Sequence, residues 1–247
     1  GMYDAAYFPQ FATGGAKRLS YAASFGKTNF DAATTRVYQQ MLASYDKITV
    51  REDSAVQMLE SWGAKNCYGQ VLDPTLLLSA DEWIDLLVYE EMQIKYASQK
   101  YILVYQIHND RQLSSYALRL AAHTGLKLLR VNPFMHQVHR GGKFVLCPDV
   151  AEFLSLIKNA TYIVTDSFHG TCFSLTFEKQ FIEVLPNNTT GTRNQSILAL
   201  TGLSNRIVYD FDDFSIINRM IDYQPVREIL AKERGRSVKM LKCLLNS

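Results

Sequence analysis

Thr161-Tyr162-Ile163-Val164-Thr165-Asp166-Ser167-Phe168-His169-Gly170-Thr171 begins as a β-branched and aromatic run and passes straight into small and polar residues. The apolar run is too short for a helix and fits a buried strand. Residues 170–178 then take up helical spacing, so the segment reads as a strand feeding a helix through a polar turn. Free backbone N–H groups at a helix start attract anions, and the Ser167 and Thr171 hydroxyls can add donors. His169 lies where the helix begins, and an imidazole titrates near neutral pH, as a general acid or base must. A structural role is equally open at this point: His169 and Asp166 could cap the helix and bond to each other.

The same alternation extends outward in both directions. Toward the C-terminus, residues 181–185 read as a strand, 193–200 as a short helix, 206–209 as a last strand and 225–245 as a long terminal helix. Toward the N-terminus, residues 101–107 are rich in β-formers. Leu113, Tyr116, Ala117, Leu120 and Ala121 then recur at helical spacing, and Gly125 closes the helix. Residues 126–131 and 143–146 read as strands, and Asp149-Val150-Ala151-Glu152 is a capping pattern ahead of a helix. Earlier still come a strand at 18–24, a helix at 32–45 capped by Asp31, a strand at 47–50, a helix over 54–62 and a short strand from Cys67. Alternating strands and helices of these lengths predict a parallel sheet covered on both faces. The expected division is a partial Rossmann-like domain over 1–98 and a complete one over 99–247, whose terminal helix packs back toward the first. Ligands of such sheets bind outside the carboxyl ends of the strands, so functional residues are sought just after each apolar run.

The composition narrows the field. The chain has 247 residues, 47% hydrophobic and 20% charged, with a net charge of +2. That is a globular composition, not a disordered one, and it lacks the basic excess of a nucleic-acid binder. No run approaches the roughly 18 apolar residues of a membrane span, and the start lacks the features of a secretory signal. Cys67, Cys147, Cys172 and Cys243 are scattered, which predicts a reduced, cytoplasmic chain rather than a disulfide framework. His136 and His139 have H-x-x-H spacing without a flanking ligand, so no metal site is expected.

Further candidate residues follow other strands. Ile48-Thr49-Val50-Arg51-Glu52-Asp53-Ser54 ends a strand on Arg51, whose planar fork suits a carboxylate or phosphate. The alternative is a surface ion pair with a neighbouring acid. Pro186-Asn187-Asn188-Thr189-Thr190-Gly191-Thr192-Arg193 is a polar loop ending on a cation that could close over an anion. Ser24 and Gly26, in the small-residue exit of the first strand, would allow close approach of a ligand. Gln106-Ile107-His108-Asn109-Asp110-Arg111 is another polar strand end that could meet a nucleotide or sugar, as could Asp149.

Taken together and in order, these segments resemble the polysaccharide pyruvyl transferase family. The resemblance is carried by residues 18–26, 48–54, 71–78, 101–105 and, most strongly, 159–171. It implies parallel Rossmann-like sheets like those of B-type glycosyltransferases, here with an incomplete N-terminal half, because the family's first strand and Gly-rich loop have no counterpart. It implies phosphoenolpyruvate as donor, a nucleotide- or lipid-linked saccharide as acceptor, and no cofactor. The product is a pyruvylated ketal in bacterial cell-surface polysaccharide synthesis, made in the cytoplasm with peripheral association at the inner membrane face. By motif position, His169 corresponds to the family's catalytic histidine and Arg51 to its donor-binding arginine. Arg193 corresponds to a later basic donor contact, with Ser167 and Thr171 beside it. Ser167 stands where several members carry an arginine, which points to a subgroup with a different acceptor or donor. Two other readings accompany this one: a B-type glycosyltransferase using a nucleotide sugar, and a non-catalytic remnant that binds glycan, a partner chain or itself.

Overall fold

The computed structural model describes residues 8, 11–87, 92, 95–186 and 191–246. Its strands are β1 (Leu19–Ala23), β2 (Lys47–Val50), β3 (Cys67–Gln70), β4 (Tyr101–Tyr105), β5 (Lys127–Asn132), β6 (Lys143–Leu146), β7 (Tyr162–Thr165) and β8 (Gln180–Glu183). Its α-helices are α1 (Ala32–Leu42), α2 (Asp53–Ser61), α3 (Ala80–Leu87), α4 (Arg111–Thr124), α5 (Val150–Asn159), α6 (Phe168–Thr176), α7 (Thr192–Leu200) and α8 (Gln224–Leu245). The chain forms two compact units. One comprises Gly1–Leu77, Asn188–Ile197 and Ile229–Ser247; the other comprises Leu78–Asn187 and Leu198–Glu228.

The first unit is built on a parallel sheet of order β1-β2-β3. Ile48 and Val50 pack with Ala55 and Leu59 of α2, and Phe25, Leu42 and Trp62 close over them. The Asp31 carboxylate accepts the Thr34 N–H at 2.8 Å, fixing the start of α1. Strand β1 is irregular between Ser20 and Ala23, where Ala22 takes φ 53°. The Thr49 hydroxyl holds that kink, accepting from Ala22 N at 3.2 Å and donating to Ser20 O at 3.1 Å. Helix α8 is tied to this unit by polar contacts. Ser237 Oγ accepts the Leu72 N–H at 2.9 Å, and Arg234 Nε donates to Leu76 O at 2.6 Å.

The second unit carries a five-stranded parallel sheet of order β6-β5-β4-β7-β8. Strand β4 is buried from Tyr101 to Val104, as its unbroken apolar run requires of a central parallel strand. The chain winds from β4 outward to β5 and β6, then crosses back to β7 and continues to β8. The winding therefore reverses between β4 and β7, the position where open α/β sheets leave a crevice for ligands. Helix α4 opens on Asp110, whose carboxylate accepts from Gln112 N and Leu113 N, and closes on Gly125 in the left-handed region at φ 69°. Leu113, Tyr116, Ala117 and Leu120 seal one face of the sheet with Ile102, Val104, Val164 and Ile182.

One local expectation is corrected and one element is added. Residues 206–209 are not a strand: Ser204–Arg206 is a 3-10 turn and only Ile207 bridges to Glu183. The reason is Arg206. It is buried, and its guanidinium donates to the carbonyls of Phe181, Ile216 and Arg219, which holds the backbone in a turn. Helix α3 was not among the expected elements, although Ser79 and Glu82 form a reciprocal capping box at its start.

Candidate functional site

At the reversal point of the second unit, Asp166 follows β7 directly and is 2% exposed. Its carboxylate reaches across to the end of β4. Oδ1 accepts from Ile107 N at 2.7 Å, and Oδ2 accepts from His108 N at 2.9 Å. The His108 ring lies with Nδ1 3.2 Å from the same Oδ2, and its side chain is 30% exposed. A carboxylate only accepts, so the ring nitrogen facing it carries the hydrogen, leaving Nε2 for proton exchange. Burial pushes the Asp166 pKa up, and the two backbone N–H groups and His108 oppose that rise. Asp166 is thus bonded to His108, not to His169 in the helix-capping arrangement that residues 161–171 alone left open. The signal for the His108–Asp166 pair was their placement after two strands that turn out to be neighbours.

The turn after β7 positions His169. Every residue of α6 is buried except His169, so this helix meets solvent at its second position alone. Gly170 makes the close packing there possible. A Cβ at this position would stand 2.3 Å from Thr165 Oγ1 and 3.1 Å from the Tyr105 ring. Ser167 caps the helix, its Oγ accepting from Gly170 N at 3.3 Å. Thr171 is fully buried, and its hydroxyl lies 3.1 Å from Ser167 O and hydrogen-bonds the Glu183 carboxylate. Both hydroxyls expected to contact a donor are therefore engaged within the fold.

In the first unit, Arg51 leaves the end of β2 and pairs with a distant acid. Arg51 Nη1 is 2.7 Å from Asp73 Oδ2, and the Asp73 side chain is 2% exposed. Asp73 is itself fixed by Thr75, whose N–H and hydroxyl donate to its other oxygen at 3.0 and 2.7 Å. This is a half-buried, oriented guanidinium rather than the surface ion pair with a sequence neighbour. Gln70 Nε2 bonds both Arg51 O and Ser196 Oγ at 3.1 Å, and Asp53 N donates to Ser196 Oγ at 3.3 Å. Ser196 belongs to α7, so the helix that carries half-buried Arg193 is docked at the end of β2. Residues 187–190 of the expected anion-closing loop lie outside the described residues, as does the His136 side chain.

One residue of this region went unnoticed in the sequence. Glu52 is 1% exposed, and its Oε1 gathers Ser24 Oγ at 2.8 Å, Phe25 N at 3.0 Å and Gly26 N at 3.3 Å. The donors of Ser24 and Gly26, expected to face a ligand, thus close on an internal carboxylate. Within the run Arg51-Glu52-Asp53, nothing marks the middle charge as the buried one. Asn109 is exposed and accepts from Arg140, and Asp149 caps α5 through Glu152 N at 2.8 Å. Asp149 follows β6, two strands from β4, and so stands apart from His108.

Fold and site together define an α/β protein with parallel sheets of the B-type glycosyltransferase kind, with histidines and an oriented arginine at strand ends. Solved structures share this fold. UDP-GlcNAc 2-epimerase from Neisseria meningitidis, bound to UDP-GlcNAc, superposes with a TM-score of 0.58 at 12% identity, covering 93% of this chain and 70% of that one. MnaA of S. aureus with UDP gives 0.58 at 16% identity, with the same coverage. A UDP-forming trehalose-phosphate synthase from Burkholderia xenovorans gives 0.50 at 12% identity, covering 93% and 68%. No curated protein sequence matches the chain. The polysaccharide pyruvyl transferase family matches over residues 3–189, and the chain belongs to that family. Among the described residues, no helix is long and apolar enough to cross a membrane.

Proposed function

We propose that the protein transfers a pyruvyl group from phosphoenolpyruvate to a nucleotide- or lipid-linked saccharide, forming a pyruvylated ketal and releasing phosphate. The observation that carries this reading is His169, the one exposed residue of a helix otherwise buried on all sides, within a chain of this transferase family. The reaction needs a proton delivered to C3 of the enol so that C2 becomes electrophilic. It also needs protons removed from two acceptor hydroxyls as their oxygens bond to C2, the second displacing phosphate. His169 serves as the acid. His108, its Nδ1 turned to Asp166, has the arrangement of a base. Arg51, oriented by Asp73, and Arg193 supply cations for the donor's carboxylate and phosphate.

The test is phosphate release from phosphoenolpyruvate in the presence of a panel of nucleotide- and lipid-linked saccharides. The wild-type protein is expected to release phosphate and to yield a pyruvylated sugar. His169→Ala is expected to slow turnover by about 10²–10⁴-fold, the usual worth of a general acid. Arg51→Ala is expected to raise KM for the donor. Full activity in both variants, or consumption of a UDP-sugar with no use of phosphoenolpyruvate, overturns the reading.

A further inference from the structure

On the second unit, a groove of about 650 Å³ runs between α4 and the turn that follows β5. Arg111, His139 and Arg140 line it, together with Asn109, Ser114 and Ser115. Among the described residues, none of the three basic side chains has a carboxylate partner. Arg140 is held by neutral oxygens alone: Nη1 donates to Asp110 O at 3.1 Å and to Ser114 Oγ at 3.2 Å, and Nη2 donates to Asn109 Oδ1.

A third guanidinium lies beneath. Arg130 is fully buried on β5, and among the described residues its acceptors are likewise neutral: Gln106 Oε1 at 3.1 Å, and Gly141 O and Arg140 O at 3.4 Å. Burial, with the neighbouring Arg140 charge, lowers its pKa to about 10. Segments 106–114 and 130–142 contain one acid, Asp110, and its carboxylate caps α4. A buried guanidinium beside a second one, with no carboxylate paired to either among the described residues, is unfavourable by itself. Uncompensated charge of one sign around a concavity marks a place for a ligand of the opposite sign.

We propose that this groove binds a phosphoryl group, with Arg111, His139 and Arg140 facing the anion and Asn109, Ser114 and Ser115 completing its polar wall. Two guanidiniums and an imidazole suit a dianion or a diphosphate better than a single carboxylate. Arg51, the donor cation proposed above, belongs to the other unit and is not part of the groove wall, so its substitution tests the donor assignment without altering this groove.

Calorimetric titration of the full chain with inorganic pyrophosphate, UDP and uridine tests it. The wild-type protein is expected to bind pyrophosphate and UDP, more weakly as salt rises, and not to bind uridine. Arg111→Glu and Ser115→Glu, both at exposed positions on α4, are each expected to weaken binding at least about tenfold, as an introduced like charge should, with an unchanged circular dichroism melt. Arg51→Ala is expected to leave it intact. Tighter binding of UDP than of pyrophosphate identifies a nucleotide as the ligand; equal binding identifies a bare diphosphate group. No binding by the wild-type protein, undiminished binding by Arg111→Glu, or loss in Arg51→Ala overturns the site.

Discussion

Asp166 holds two backbone N–H groups and one imidazole on a carboxylate with almost no contact with water. Its folded pKa is raised, burial being the largest cause. Between the unfolded value of about 4 and the higher folded value, the native state therefore binds more protons than the unfolded state. Its contribution to stability falls as pH rises through that window. Asp166→Asn removes the titration while adding a pH-independent penalty, because the amide N–H₂ meets donors where the carboxylate accepted. In urea denaturation at a series of pH values, the wild-type protein is expected to lose stability relative to Asp166→Asn as pH rises from about 4. The opposite trend would show that the hydrogen bonds outweigh burial. That Asp166 and His108 would meet could not be read from two residues 58 positions apart, since it needed β4 and β7 to be neighbours. His169, by contrast, was legible, because an apolar strand, a polar turn and a helix start already put it at a strand end.

The helices illustrate how capping signals are read and partly misread. Asp149-Val150-Ala151-Glu152 has the spacing of a reciprocal box, but only half of it forms. Asp149 accepts the Glu152 N–H at 2.8 Å, while the Glu152 carboxylate turns to Lys95 and to the Tyr96 hydroxyl. Those two contacts hold the Glu152 carboxyl below its usual pKa. Asp149→Ala is expected to cost about 1 kcal/mol of stability, the typical value of an N-cap carboxylate, read from the urea midpoint. A loss near zero would mean that the fold does not depend on this cap. The lower part of α4 and the whole of α6 follow the same logic of local codes serving packing. Leu113, Tyr116, Ala117 and Leu120 announce a one-sided helix, and α4 is one-sided. Helix α6 has no polar face to announce, and its burial follows from the sheet it covers.

At the scale of the molecule, the two units carry separate sheets, and the proposed donor cation Arg51 and the proposed anion groove belong to different units. A ligand that binds only the folded state stabilises it in proportion to the logarithm of its concentration, by about 2.7 kcal/mol at a hundredfold excess over Kd. Phosphoenolpyruvate at that excess is therefore expected to raise the calorimetric melting temperature of the wild-type protein and to have no effect on Arg51→Ala. Pyrophosphate is expected to raise it in both. Equal responses of the wild-type and variant proteins to phosphoenolpyruvate would detach Arg51 from the donor.

The sequence by itself determined the alternation of strands and helices, the parallel sheets they form, and the family whose ordered segments these are. Hydrophobic period, capping residues and glycine stops act over a few neighbours, so they can be read from a single chain. Tertiary structure alone decided which charges are buried and with whom. Arg51 finds Asp73, Glu52 finds the Ser24–Gly26 backbone, Asp166 finds His108, and Arg130 reaches the Arg140 carbonyl. Each pairing joins residues distant in sequence, and its consequence depends on exclusion from water. A charge run such as Arg51-Glu52-Asp53 looks uniform in one dimension and becomes three different environments once the chain is folded.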